Sequence, residues 1–436
     1  MGTIAQISTA MKYVLEEVAE KKERETGFVQ REGKLNGQSF VQTMVFGVLG
    51  EPELSYTEMS QTAGRVGVAI TPQGLEQRFT SAASELMKAV FEAAVGQVIQ
   101  GSSARIPILQ RFQGVYVRDS SVIVLPSVWQ AQWPGVGSQQ GGSAGLKLHV
   151  SLNYASGELQ GPVITNARVH DRHSPFHAQE VPPGGLKMAD LGYFDLDQLA
   201  VDQAAGIYFL GRYKVGTVVL DRDGQRIDLL KLLLGVDHLD LAIRLGNEHA
   251  IPCRLLAQRV PQEVADQRRR RLHEYAVRKQ VTVSPLSLAL ADWTLLVTNV
   301  PPQKLSLKEA LILYGVRWQI ELLFKLWKQH AKIDEWRSLN PDRILCEVYA
   351  KLIAVLILHW NLILSFWTLP ARSLFKAAQL VQHFAPLFAA SLANVEHLQN
   401  CLRSLQTCLL PACRLNSRRK IPNTYQLLLA LDPAPA

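Results

Sequence analysis

Between Tyr314 and Lys328 the chain reads Tyr-Gly-Val-Arg-Trp-Gln-Ile-Glu-Leu-Leu-Phe-Lys-Leu-Trp-Lys. Wound as an α-helix at about 100° per residue, this stretch sorts its polar groups by face. Arg317, Glu321 and Lys328 follow Tyr314 by 3, 7 and 14 positions, which gathers all four side chains into an arc of roughly 60°. Lys325 shares that face, while Ile320, Leu323, Phe324, Leu326 and Trp327 fall largely elsewhere and can pack on a core. A carboxylate buried among cations is expensive in a purely structural helix. Chemically, such a face can neutralise charge that spreads over a reacting phosphoryl group. The same periodicity also describes a solvated amphipathic helix laced with i,i+4 ion pairs. Periodicity alone leaves both readings open.

The spacing Tyr314-x2-Arg317-x3-Glu321-x6-Lys328, with Trp318 and Ile320 around the glutamate, resembles the Tyr-Arg-Glu-Lys signature of bacterial insertion-sequence DDE transposases, specifically the insertion sequence four group. The resemblance implies an RNase H-like site in which Glu321 is the third metal-binding carboxylate. It also implies that Tyr314, Arg317 and Lys328 hold DNA phosphates, and it requires two aspartates at strand ends. Gly114-Val-Tyr-Val-Arg-Asp119 alternates like a strand and ends on an aspartate. Pro182 to Asp190 does the same, and the Leu-Gly-Tyr-Phe-Asp that follows Asp190 resembles the family's second aspartate motif. Taken singly, each is equally a turn aspartate, with Asp171, Asp195 and Asp197 as nearby rivals.

Carboxylates converging from Asp119, Asp190 and Glu321 suit two hard divalent ions, Mg²⁺ or Mn²⁺, bound through oxygen. Two such ions, about 3.5–4 Å apart, serve an in-line displacement at phosphorus. Water attacks first to nick the strand, and the freed 3′-hydroxyl then attacks the opposite strand or target DNA. The expected activity is therefore cut-and-paste transposition of an insertion sequence at its terminal inverted repeats. A hairpin route and an unpaired, flipped base come with the resemblance alone. The alternatives are a catalytically silent, transposase-derived DNA-binding protein and an interaction protein whose basic faces meet acidic partners.

The elements that must position these residues fall in a simple order. Residues 1–105 read as helices: Ser55 with Glu58 forms a capping box, and Thr71-Pro72 opens a second helix over Gln73–Phe91. Helix, turn, capped helix fits a DNA-end-binding helix-turn-helix, with Thr71, Gln73, Gln77 and Arg78 facing DNA; a plain helical hairpin fits as well. Residues 106–214 form the first part of the core, an antiparallel meander with a Gly-rich loop over 138–145 and a further strand ending near Arg212 and Lys214. Those two cations can steady phosphates or sit solvated. Residues 215–302 read as a β-rich insertion domain with a strand over Gln280–Ser284. Its run Arg268, Arg269, Arg270 and Arg271 is a solvated face or a backbone-binding patch. Trp293 is either a core strand residue or, as the resemblance implies, a base-stacking platform. Residues 303–336 bring the core back with the glutamate helix, and Gly315 can break it before Arg317. Residues 337–436 are helical, with 373–409 read as one stretch, and the resemblance makes them a dimerisation region. The expected fold is thus α/β: an RNase H-like catalytic core interrupted by a β-rich insertion, with helical N- and C-terminal domains.

Composition bounds the rest. The 436 residues suffice for two to four domains, and 47% hydrophobic content supports real cores. A net charge of +8 suits a polyanionic partner, here double-stranded DNA, without demanding one. Five cysteines with no CxxC spacing exclude a zinc ribbon and a disulfide framework, and suit a cytoplasmic protein that joins the nucleoid when acting. The run Ile344–Trp367 is interrupted by Glu347, Lys351, His359 and Asn361, so it reads as a buried helix and not a membrane span. His170, His173 and His177 are too loosely spaced for a metal cluster and read as a polar loop near DNA.

Overall fold

A computed structural model describes residues 2–31, 33–136, 144–364, 373–415 and 422–431. The chain divides into two units, one of residues 1–106, 120–169 and 319–426, the other of 107–119, 170–318 and 427–436. Most of the Gly-rich loop over 138–145 lies outside the described residues, as does most of 414–420, a late basic tract in the sequence, Arg-Leu-Asn-Ser-Arg-Arg-Lys.

The first unit is built on the helix Pro341–Ile363, every residue of which from Arg343 on is buried. It is long and apolar enough to span a bilayer, yet it packs inside the folded chain against the helices Gly37–Gly50 and Ser81–Val95. Its polar residues are each engaged, as burial requires. Arg343 Nε donates to Glu347 at 2.7 Å. Lys351 Nζ donates to the carbonyls of Lys332 and Glu335 at 3.0 and 2.6 Å. His359 Nε2 meets the Gly157 carbonyl at 2.7 Å, and Asn361 Nδ2 the Ile357 carbonyl at 2.8 Å.

His359 gives this core an acid limit. Burial holds its pKa at about 4, against an ordinary 6.5. The unfolded chain therefore takes up a proton below pH 6.5 that the folded chain refuses until about pH 4. The contribution to stability is full above 6.5 and is lost as pH falls through that window. Between pH 7 and 5 this amounts to about 2 kcal/mol. His359→Gln is expected to flatten that part of a urea-stability profile.

Local signals decide the N-terminal helices. Ser55 and Glu58 close a full capping box on Tyr56–Arg65. Thr71 caps Pro72–Glu76, but the second helix expected over Gln73–Phe91 is divided. Thr80 accepts from the Ala83 N–H and starts a separate helix, Ser81–Val95, which leaves Gln77 and Arg78 in the connecting turn. Residues 373–409 are divided likewise: Asn394 caps Val395–Ala412 after Leu374–Ser391 ends. In both places a capping side chain offers the backbone a better partner than helix continuation does.

The sheet begins with β1 (Val115–Leu125), which runs on past Asp119, where a strand end was expected. Its residues from Ser120 on belong to the first unit, together with β2 (Ala144–Asn153) and β3 (Leu159–Asn166), which pair antiparallel. Its residues up to Asp119 belong to the second unit. There β1 lies parallel to β4 (Leu186–Ala189), and β4 parallel to β5 (Tyr208–Arg212). The helix Leu196–Ala204 makes the crossover that a parallel pair needs. Beyond come β6 (Val219–Leu220), β7 (His238–Leu245), β8 (Ile251–Arg259) and β9 (Trp293–Thr298). Their order along the sheet from β5 is β9, β8, β7, β6, all antiparallel. The strands of 215–302 therefore continue the sheet of β5.

The strand expected over Gln280–Ser284 does not form. Gln262–Lys279 is instead an 18-residue helix carrying the arginine run, stopped by Gln280 at φ +54°. Its Arg, Glu, Gln and Ala content favours helix over strand.

Candidate active site

The parallel register builds the site. Arg118 pairs with Ala189 at the end of the β1–β4 register, and Asp119 and Asp190 each follow by one residue. Met188 pairs with Leu210, and Asp190 and Arg212, each two residues further on, line one cavity. Asp119, Asp190 and Arg212 thus follow in a row just past where β1, β4 and β5 stop pairing with one another. Asp119 is not at the end of its strand, as the alternation suggested; it stands where β1 leaves β4 and runs on.

The Tyr-Arg segment comes to this row. Helix Leu307–Tyr314 ends at a 3-10 turn, Gly315–Arg317, before helix Trp318–His330 begins. The break expected at Gly315 is real, and because side chains i and i+3 eclipse in a 3-10 turn, Tyr314 stays on the side of Arg317. Its ring is buried, its hydroxyl lies 3.5 Å from the Ala189 carbonyl, and the Arg212 guanidinium sits 5.9 Å from its ring centre. Burial pushes the Tyr314 hydroxyl's pKa up, while Arg212 and Arg317 oppose the shift. Arg317 Nη1 lies 3.8 Å from Asp119 Oδ2.

Glu321 follows Arg317 by four residues, in the first turn of Trp318–His330. Lys328, in the last turn, donates from Nζ to the Val122 carbonyl at 2.9 Å and lies 3.9 Å from Asp334. Trp318, which immediately follows Arg317, is 55% exposed. Among the described residues no three His, Cys, Asp or Glu side chains are grouped closely enough to hold a metal.

The rival carboxylates have other tasks. Asp195 caps the helix Leu196–Ala204 and lies 3.6 Å from Arg172 and 3.5 Å from His177. Asp197 pairs with His249 at 2.6 Å. Asp171 packs against Gly192 so closely that a Cβ there would meet its Oδ2 at 2.8 Å.

Three further candidates are sorted by burial. Trp293 is only 7% exposed and sits in the hydrophobic core of the second unit, its ring covered by Arg259 at 5.0 Å. That is the position of a core strand residue. Arg268 donates to the Trp293 carbonyl at 2.8 Å and to Thr294 at 3.0 Å. Arg269 pairs with Asp266 and Asp292. These two dock their helix on β9, while Arg270 and Arg271 are exposed. Lys214 and Gln73 are exposed, and Arg78 is half-buried.

Sequence reasoning missed Arg118 and Lys187, buried polar side chains in the two strands that carry the aspartates. The available signal was a cation at a position where an otherwise apolar strand alternates inward.

With this geometry in hand, comparison with known proteins is specific. The family described as "Transposase DDE domain" matches residues 110–357. The transposase for insertion sequence element IS231C of Bacillus thuringiensis subsp. berliner is 24% identical, over 95% of this chain and 92% of its own length. The transposase for IS1151 of Clostridium perfringens is 25% identical, over 77% of this chain and 75% of its own. The putative transposase InsL for IS186A of Escherichia coli K12 is 28% identical over half of this chain and 61% of its own.

Proposed function

The chain belongs to the transposase DDE-domain family, and on that footing we propose that Asp119, Asp190 and Glu321 are its catalytic carboxylates at the terminal inverted repeats of an insertion sequence. The enzyme class follows from the family and the relatives: a transposase that cleaves DNA and transfers strands. The observation that supports the residue assignment is the parallel pairing of Arg118 with Ala189, one residue before Asp119 and Asp190, with Arg317 at 3.8 Å from Asp119.

The donor set fits a hard divalent ion such as Mg²⁺ or Mn²⁺: carboxylate oxygens, no thiolate and no imidazole. Asp119, Asp190 and Glu321 would hold two such ions, which activate the attacking oxygen and stabilise the leaving one when bound. Arg317, Arg212 and Tyr314 hold the scissile phosphate and neutralise charge on its equatorial oxygens. Lys328, released from the Val122 carbonyl, adds a cation on the Glu321 face, and Lys214 steadies the backbone beyond.

Residues 1–105, with Gln73 and Arg78 toward the duplex, act as the end-binding domain; 106–214 and 303–336 form the RNase H-like core; 215–302 is the insertion; and 337–436 supports a homodimer on paired ends. The test is incubation with the duplex flanking its own gene, in Mg²⁺ or Mn²⁺ against EDTA, read on a denaturing gel. Metal-dependent cuts at the element's end are expected. Binding with no cut under any metal would reject the catalytic assignment.

Of the four-arginine run on the insertion helix, Arg270 and Arg271 are the exposed pair available to phosphates. Replacing both by Ala should weaken binding uniformly across sequences and flatten the log-affinity against log-salt slope by about 2. Arg268→Ala should lower stability and leave that slope unchanged. Affinity titrations at several salt concentrations check both.

A further inference from the structure

Behind the two aspartates the second unit carries charges that no step above uses. Side chains alternate along a strand, so in the register that pairs Arg118 with Ala189, Asp119 lies on one face of the β1–β4 ladder and Arg118 and Lys187 lie on the other. There they are nearly sealed from solvent: Arg118 is 6% exposed, Lys187 3%, and Asp202 on the helix Leu196–Ala204 1%. Lys187 Nζ donates to Asp202 Oδ1 at 2.7 Å, and Gln198 Nε2 donates to the same oxygen at 2.9 Å. Arg118 Nη1 donates to the carbonyls of Phe176 and His177 at 2.6 and 2.7 Å, while its buried Nε has no hydrogen-bond partner. Arg118, Lys187, Asp202 and Asp190 line one cavity of about 50 Å³. The network therefore abuts the second aspartate.

As a source of stability this arrangement is poor. Desolvation offsets most of the Coulomb gain of a buried pair, and apolar residues of similar volume often do better. Here two cations face one anion, and an orphaned Nε adds to the cost. What the charges accomplish is placement. Arg118 ties β1 to the 176–177 loop one residue before Asp119, and Lys187 ties β4 to a crossover helix three residues before Asp190.

We propose that Arg118, Lys187 and Asp202 are positioning residues that clamp the β1–β4 ladder from behind, holding Asp119 and Asp190 at the spacing a divalent ion requires. This rests on the reading of those aspartates as ion ligands.

The test uses the full-length protein bound to its end duplex, comparing wild type with Lys187→Met/Asp202→Leu, Lys187→Arg and Asp190→Asn. Mn²⁺ binding is followed by electron paramagnetic resonance, alongside melting temperature, DNA affinity and cleavage against Mn²⁺ concentration. The double variant, which leaves Arg118 without its buried anion, is expected to melt lower than wild type while binding DNA equally well. Its Mn²⁺ dissociation constant should nevertheless rise on the order of tenfold, as loss of outer-shell support typically produces. Lys187→Arg, which keeps the buried pair, should stay within about threefold of wild type and tests the clamp independently of the double variant's stability. Wild-type Mn²⁺ affinity in the double variant, or a full tenfold loss in Lys187→Arg, would overturn the clamp. Asp190→Asn should lose both Mn²⁺ binding and cleavage; unchanged Mn²⁺ binding there would reject the ligand assignment itself, a result distinct from failure of the clamp.

Discussion

Glu321→Gln is expected to abolish metal-dependent strand cleavage, by on the order of 10³-fold or more, while affinity for end DNA stays within about twofold. The loss corresponds to about 4 kcal/mol of transition-state stabilisation. Gln has nearly the shape of Glu and keeps its helix propensity, so the helix Trp318–His330 should be undisturbed. What it lacks is the negative charge that a hard divalent ion demands of its ligand. Asp119→Asn and Asp190→Asn should behave alike, and combinations should cost little more than any single change, because the carboxylates act as a unit. Arg317→Lys is a sharper probe of role: it keeps the charge near Asp119 but loses the planar fork. Its cleavage should fall by roughly 10²-fold with metal dependence unchanged. Nicking by the Glu321→Gln protein at more than a few per cent of the wild-type rate would remove Glu321 from the site.

The second large effect falls on stability. Arg343 opens the core helix of the first unit and is 4% exposed. It pairs with Glu347 at 2.7 Å, donates to the Leu54 carbonyl at 3.3 Å, and places its guanidinium 4.0 Å from the Tyr56 ring centre and 5.5 Å from that of Phe79. Arg343→Ala leaves Glu347 buried without its guanidinium partner, and should cost about 3–5 kcal/mol. The contacts run to the Ser55-capped helix and to the turn after Pro72–Glu76, so loss of Arg343 should also weaken end-DNA binding without any direct DNA contact. Urea unfolding and a gel shift at the same temperature measure both. Arg343→Met with Glu347→Leu removes both charges together and should recover most of the stability. If the single Ala variant unfolds at the wild-type urea concentration, the guanidinium is not the tie between these elements.

What the chain specifies locally could be read from sequence. The capping boxes at Ser55 and Ser306, the Thr71-Pro72 start and the break at Gly315 each depend on a few neighbouring residues, and all are present. The Arg317–Glu321–Lys328 spacing rests on helical period alone. The buried character of Pro341–Ile363 followed from its polar interruptions, since a lipid-facing helix would have nothing to satisfy them.

Tertiary structure decided everything that turns on which distant residues meet. Nothing within reach of Asp119 says that β1 continues past it, or that Arg118 pairs with Ala189; strand partners are chosen by the whole sheet. Trp293 could have faced a base or a core, and only the packing of β8 and β9 under the helix Gln262–Lys279 buries it. Four consecutive arginines look alike in sequence, yet helical rotation above β9 turns Arg268 and Arg269 inward and leaves Arg270 and Arg271 in solvent. Lys187 gave no local sign of its partner Asp202, fifteen residues on and across a crossover. Helical period and capping act over a few residues and are written in the chain directly; strand register and burial are sums over contacts far apart in sequence, and only the folded molecule evaluates them.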